Sequence, residues 1–350
     1  MIRRLAVASL AAAASVLTLR TVVRRGADRL LEAPRRTPGE DALGPALDAL
    51  GGEVVRLRSR DGLRLSGRWL ASEGADARWT PDPHEAIVLL HGWSGSIAPH
   101  LVEYGPFLRR TAGVLGLDFR GHGGSDDAPT TFGLREVDDV AGALAWLGER
   151  GVARVALVGM SMGGITAIAS VAVLGDGSMP GADADPVAPA HVPPPRRPRI
   201  VAVVADSAAP ELVVVAAPLL PGPRPRRLAG WLFDEAARKL DGDPRDTEPI
   251  RVVGLLEGVD LLLISGEEDP IVPVADARRL AAAAPAGSGH WIVPGAGHRR
   301  AHQSDTEGYE ARVTEHLRAA FASARETGPI IGSPGWPSAD PSHPAGSVED

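Results

Sequence analysis

The apolar run Val155–Ala156–Leu157–Val158 leads straight into Gly159–Met160–Ser161–Met162–Gly163–Gly164, and a small-residue helical pattern follows from Gly164 to Leu174. Gly-x-Ser-x-Gly between a strand and a helix makes a tight turn whose strained backbone pushes the serine hydroxyl out at the top of a sheet. Gly159 and Gly163 are needed because side chains at either flank would collide with the turned backbone or the adjoining strand. A chain with 41 glycines produces such triplets by chance, so the weight comes from the strand before and the helix after.

A serine nucleophile needs a base, and the base needs an orienting acid. On this kind of turn the partners follow in the chain order Ser, Asp or Glu, His. The apolar run Val259–Ile264 reads as a buried strand, ending in Ser265–Gly266–Glu267–Glu268–Asp269–Pro270–Ile271–Val272–Pro273. The short strand His290–Val293 runs into Pro294–Gly295–Ala296–Gly297–His298. Each places a reactive group just past a strand end, with Glu267 and Glu268 as competitors for the acid position.

The chain resembles the α/β-hydrolase superfamily, and its best-matching stretches look like the serine-peptidase and carboxylesterase-like branch. The resemblance spans roughly Glu53 to Ala324. It rests on His91–Gly92–Trp93, Asp118–Phe119–Arg120–Gly121–His122–Gly123–Gly124–Ser125, Gly159 to Gly164, Gly266 to Pro273 and Gly295 to His298. It implies Ser161 as nucleophile, His298 as base and Asp269, the acid before Pro-x-Val-Pro, as its orienting partner. It also implies an oxyanion hole made by the backbone N–H groups of Trp93 and Met162. His91 and His122 are expected to brace loops rather than react. Superfamily members that open epoxides or displace halide carry a carboxylate at the nucleophile position, where this chain has Ser161.

The expected architecture is an α/β-hydrolase fold: about eight strands, mostly parallel, helices on both faces and a small lid insertion. An antiparallel hairpin opens it, with Val54–Arg58 and Leu63–Leu70 flanking Asp61–Gly62, and strands near 87, 115, 156, 202, 262 and 291 follow. Active sites of such sheets lie at the carboxyl ends of the strands. At 350 residues the chain can bury roughly three quarters of its unfolded surface, enough for a sheet covered on both faces.

Residues 1–25 form an apolar anchor or signal-like segment, and 26–52 a linker with a short helix. Residues 53–325 are the hydrolase domain, and 326–350 a Pro/Ser/Gly-rich tail expected to be disordered. Within the domain, 175–199 is a Pro/Gly-rich insertion that should hang from the face opposite the active site. Residues 208–249 form the lid, with Leu219, Trp231 and Phe233 as pocket candidates.

Arg3–Arg4 precede the apolar stretch Leu5 to Leu19, and Arg20, Arg24, Arg25 and Arg29 follow it. Fifteen uncharged residues fall short of the roughly 20 that a helix needs to cross a bilayer, although Arg20 could snorkel and extend the span to Val23. Residues 5–23 therefore read as a membrane contact, with the hydrolase domain on the cytoplasmic side because more positive charge lies on the C-terminal flank. A secretory signal and a plain soluble extension are the alternatives.

A net charge of −7 argues against nucleic-acid binding. Zero cysteines exclude disulfides and thiol catalysis. No His-Glu-x-x-His, phosphate loop or dinucleotide fingerprint appears, so neither metal nor cofactor is expected. The expected function is cleavage of an ester, thioester or amide of a small, apolar acyl substrate through an acyl-enzyme. An acyltransferase or peptidase on the same triad is the near alternative, and a membrane-tethered, non-catalytic binding module the distant one. The sequence leaves oligomeric state open.

Overall fold

The structure, a computed structural model, describes residues 17–18, 20–175, 197–220 and 225–327. The helices are α1 (20–31), α2 (Gly44–Leu50), α3 (Ala98–Leu108), α4 (Glu136–Glu149), α5 (Met162–Leu174), α6 (Leu212–Ala216), α7 (Pro225–Lys239), α8 (Pro249–Val252), α9 (Val274–Ala283), α10 (Ala301–Ser304) and α11 (Thr306–Glu326). The strands are β1 (Glu53–Arg58), β2 (Arg64–Leu70), β3 (Glu85–Leu90), β4 (Gly113–Leu117), β5 (Arg154–Met160), β6 (Arg199–Asp206), β7 (Asp260–Gly266) and β8 (Gly289–Val293).

They form one eight-stranded sheet in the order β1-β2-β4-β3-β5-β6-β7-β8. Strand β2 pairs antiparallel with β1 and β4, and every other pairing is parallel. Burial follows position. The central strands β3 and β5 are buried at every residue, whereas the edge strand β1 alternates towards its C-terminal end, as expected for strands with two covered faces and with one. One apolar cluster joins the sheet to α4, α5 and the segment that follows β6, and a second joins the other face to α3 and α11. The sheet is the mixed, mostly parallel, two-sided one that the sequence implied.

The N-terminal region departs from the sequence reading. Helix α1 runs without a break across the expected division at 25/26, and its Val23, Ala27, Leu30 and Leu31 are buried. That spacing is one face of a helix, and the face meets α7: a Cβ on Gly26 would lie 2.7 Å from Leu232 Cδ2. Arg24 reaches Glu235 at 3.3 Å, and Lys239 pairs with Asp28. Val23, which a membrane span to that position would place in lipid, instead packs in the protein core. No helix among the described residues is long and apolar enough to cross a membrane, and nearly all of the apolar stretch Leu5–Leu19 lies outside them.

From the end of α1 onward the chain is bonded to the loops after β3 and β4 rather than linking past them. Trp93 Nε1 donates to Leu30 O at 3.0 Å, Gly95 N to Pro34 O at 2.8 Å and Gly123 N to Arg35 O at 2.9 Å. Ser96 Oγ donates to Glu40 Oε2 at 2.7 Å. Cutting the chain at Glu53, where the sequence suggests the domain begins, removes these bonds and the buried α1 face. Burial of three large aliphatic side chains is worth several kcal/mol, so this truncation should lower Tm by about 10 °C or more in a thermal melt.

A histidine clasp joins α3 to the C-terminal helices. His302 Nδ1 lies 3.0 Å from Glu103 and Nε2 3.4 Å from Glu310, which Arg110 also contacts at 3.1 Å. The hydrogen bond to Glu103 raises the imidazole pKa above its usual value, against the opposing effect of burial. A raised folded-state pKa means that the stabilisation is complete below the unfolded value of about 6.5 and is lost as pH rises through the folded one. Wild-type Tm should therefore fall as pH rises above about 6.5, and His302→Gln should flatten that part of the profile.

Candidate active site

Ser161 stands between the end of β5 and the start of α5 with φ 55° and ψ −112°. The left-handed backbone of a non-glycine residue here is the strain that the sequence motif implied. It is held by close approach: a Cβ on Gly159 would lie 2.2 Å from Gly163 O, and one on Gly163 2.4 Å from Leu90 O. Ser161 N donates to Asp206 O at 2.7 Å, which fixes the turn to β6.

The loops after β7 and β8 bring two further groups to this turn. His298 Nε2 lies 3.0 Å from Ser161 Oγ, and His298 Nδ1 lies 2.8 Å from Asp269 Oδ2. Asp269 Oδ1 accepts from the backbone N–H groups of Ile271 and Val272 at 2.7 and 2.8 Å. Its carboxylate is thus occupied at both oxygens, and its side chain is almost fully buried. An acceptor-only carboxylate requires the proton on Nδ1, which leaves the Nε2 lone pair facing the serine hydroxyl. Glu267 and Glu268 are exposed, and Glu267 accepts from Gly295 N at 3.2 Å instead of reaching His298.

Two backbone donors beside this turn have no acceptor among the described residues. They are the N–H groups of Trp93, in the loop after β3, and Met162, the first residue of α5. The positive end of α5 adds to the preference for negative charge at this point. The Trp93 loop is braced from below. His91 Nδ1 donates to Gly92 O at 2.7 Å while its Nε2 accepts from Phe119 N at 3.1 Å, so the ring is neutral, and burial holds its pKa well below normal. His122 lies between Arg120 O at 2.8 Å and Trp93 O at 2.6 Å. Both imidazoles shape the loops and neither reaches Ser161.

The lid candidates part company. Phe233 is buried and meets Phe132 edge-on at 5.8 Å between ring centres. Trp231 is 48% exposed, on the side of α7 away from its buried face. Helix α7 turns Ala229, Leu232, Phe233 and Ala236 inward, the i, i+3, i+4, i+7 face, and position 231 falls opposite. Leu219 ends a 3-10 turn, Ala217–Leu219, and its side chain is outside the described residues. Residues 176–196 and the tail from 328 onward also lie outside them, and with them nearly all of the 175–199 insertion and the C-terminal segment.

One group behind the site was not anticipated. Asp206, the last residue of β6, is fully buried; its Oδ1 accepts from Ser207 Oγ at 2.8 Å and its Oδ2 from Tyr309 OH at 3.1 Å. Ser207 Oγ in turn accepts from Arg299 N at 3.0 Å. Asp206 therefore ties the serine turn, through its carbonyl, to the histidine loop, through its carboxylate. Burial pushes that carboxyl up to about 6. The available signal was an acid followed by a serine at a strand end.

Known proteins share the fold that carries this arrangement. The YfhR protein of Escherichia coli O157:H7 is 27% identical over 248 residues, 69% of this chain and 71% of its own length. An esterase from Pyrococcus furiosus superposes with a TM-score of 0.57 at 22% identity, covering 82% of this chain and 99% of that one. An esterase from Exiguobacterium antarcticum gives a TM-score of 0.51 at 17% identity, over 76% of this chain and 100% of that one. These structural likenesses speak for the fold. The sequence profile of the alpha/beta hydrolase family matches residues 87–312, well over half of the chain, and the protein belongs to that family.

Proposed function

We propose that the protein is a serine hydrolase that cleaves a carboxylic ester, or a thioester or amide, through an acyl-enzyme on Ser161. The observation that carries this reading is the unbroken path from Ser161 Oγ through His298 to Asp269 at 3.0 and 2.8 Å, beside two unused backbone donors. His298 Nε2 takes the Ser161 proton as Oγ attacks the carbonyl carbon, and Asp269 stabilises the imidazolium that forms. The N–H groups of Trp93 and Met162 hold the developing oxyanion; losing one such donor typically costs about 3–4 kcal/mol of transition-state stabilisation. The imidazolium then gives its proton to the departing alcohol, thiol or amine. Water, deprotonated by the same nitrogen, attacks the acyl carbon and frees Ser161.

The test is intact-mass labelling with a fluorophosphonate probe of the wild type, Ser161→Ala and His298→Ala. Labelling of the wild type alone is expected. Labelling that survives Ser161→Ala, or a folded wild type that takes no label, overturns the reading.

A further inference from the structure

Arg299 stands apart from the other arginines. Among the described residues, buried and half-buried arginines such as Arg35, Arg68, Arg120, Arg154 and Arg325 hold a hydrogen-bonding or ion-pairing partner with their side chains, and half-buried Arg299 holds none. Its backbone has φ 55°, and its N–H is spent on Ser207 Oγ. Its side chain reaches the loop after β3. Its Nη1 lies 3.0 Å from where a Cβ on Gly92 would be, so the guanidinium rests against the loop that carries the Trp93 amide.

The surroundings supply no counter-charge. The groups that feel the Arg299 charge include His91, His100 and Tyr104, all buried and all neutral. Burial foremost, with Arg299 adding to it, pushes His100 down to about 3, and burial pushes the Tyr104 phenol up. His100 is 9% exposed and its Nδ1 has no partner, a second unanswered polar group in the same neighbourhood. The carboxylates nearby are engaged elsewhere: Glu103 by His302 and Gln303, Asp206 by Ser207 and Tyr309, Asp269 by His298. A half-buried cation that gives up water and gains no partner is unfavourable, and an arriving anion reverses that balance. The planar fork of a guanidinium suits two oxygens of a carboxylate or phosphoryl group.

We infer that Arg299 is a specificity-determining residue that receives a negatively charged group of the substrate, a carboxylate or a phosphoryl group, beside the Gly92–Trp93 loop. The inference deepens the acyl-transfer reading and rests on it, and it replaces a wholly apolar substrate with one that carries an anion near the scissile bond.

The experiment compares kcat/KM for the 4-nitrophenyl monoester of glutaric acid with that for its methyl-capped, neutral counterpart, in the wild type, Arg299→Met and Arg299→Lys. The wild type should prefer the anionic ester. Arg299→Met should lower the anionic-to-neutral ratio by about tenfold or more, mainly through KM, and Arg299→Lys should restore part of it. An equal ratio in the wild type and Arg299→Met overturns the inference while leaving the hydrolase reading in place. Calorimetry on Ser161→Ala, with and without Arg299→Met, separates the two claims. Glutarate or inorganic phosphate binding that is lost with Arg299 supports the anion site even if neither ester turns over, and the anion that binds identifies the group. Binding of neither anion, or binding indifferent to Arg299, overturns it.

Discussion

Ser161→Ala is expected to remove ester turnover almost entirely, by a factor on the order of 10⁶ in kcat, while leaving the fold intact. In the proposed mechanism the hydroxyl forms the covalent intermediate, so its loss cannot be shared out among the other members of the path. The backbone of the turn does not depend on it. Ser161 N still donates to Asp206 O, Ile165 N still donates to Ser161 O at 3.0 Å, and the glycines at 159 and 163 still allow the close approach of β5, α5 and the β3 loop. Tm and circular dichroism should therefore match the wild type within error. The N–H groups of Trp93 and Met162 remain, so a residual acceleration of roughly 10³–10⁴ over uncatalysed hydrolysis should persist. Initial rates on a short-chain nitrophenyl ester, with intact mass after fluorophosphonate treatment, measure both. A variant that keeps a hundredth of the wild-type rate would place the nucleophile elsewhere.

The path itself was legible in the sequence because each member sits just past a strand, where topology rather than side-chain packing decides position. Gly159 to Gly164, Asp269 before Pro270 and His298 after Gly297 fix residue type, chain order and place in the sheet. What the sequence withheld depends on packing between distant segments. Helix α1 looks like the tail of an apolar N-terminal stretch because its buried face is only four residues wide and its flanks are arginines; only the docked α7 shows what that face is for. Trp231 and Phe233 lie two positions apart on one helix, and composition alone put both towards a pocket. A helix turns about 200° over two residues, and so one is exposed and the other buried. Asp206 and Arg299 were passed over for the same reason. Neither has a motif, and what each one meets, Tyr309 for Asp206 and the Gly92 loop for Arg299, lies far away along the chain.

Asp269→Asn tests the other end of the path, and its expected effect follows from bonds already present. Oδ1 receives two backbone N–H groups, from Ile271 and Val272, so in an asparagine that position must be the carbonyl oxygen. The amide nitrogen then falls where Oδ2 stood, 2.8 Å from His298 Nδ1, and it is a donor. An imidazole facing a donor at Nδ1 must accept there and carry its proton on Nε2. That proton points at Ser161 Oγ, and the ring can no longer take the serine proton. The geometry would survive while the tautomer is inverted, for which a loss on the order of 10⁴ in kcat is expected, with KM little changed. Asp269→Ala would lose the same function and also strand the two backbone N–H groups, so it should cost stability where Asp269→Asn does not. Near-wild-type turnover by Asp269→Asn would return the orienting role to Glu267 or Glu268, whose exposed side chains would then have to swing in to reach His298.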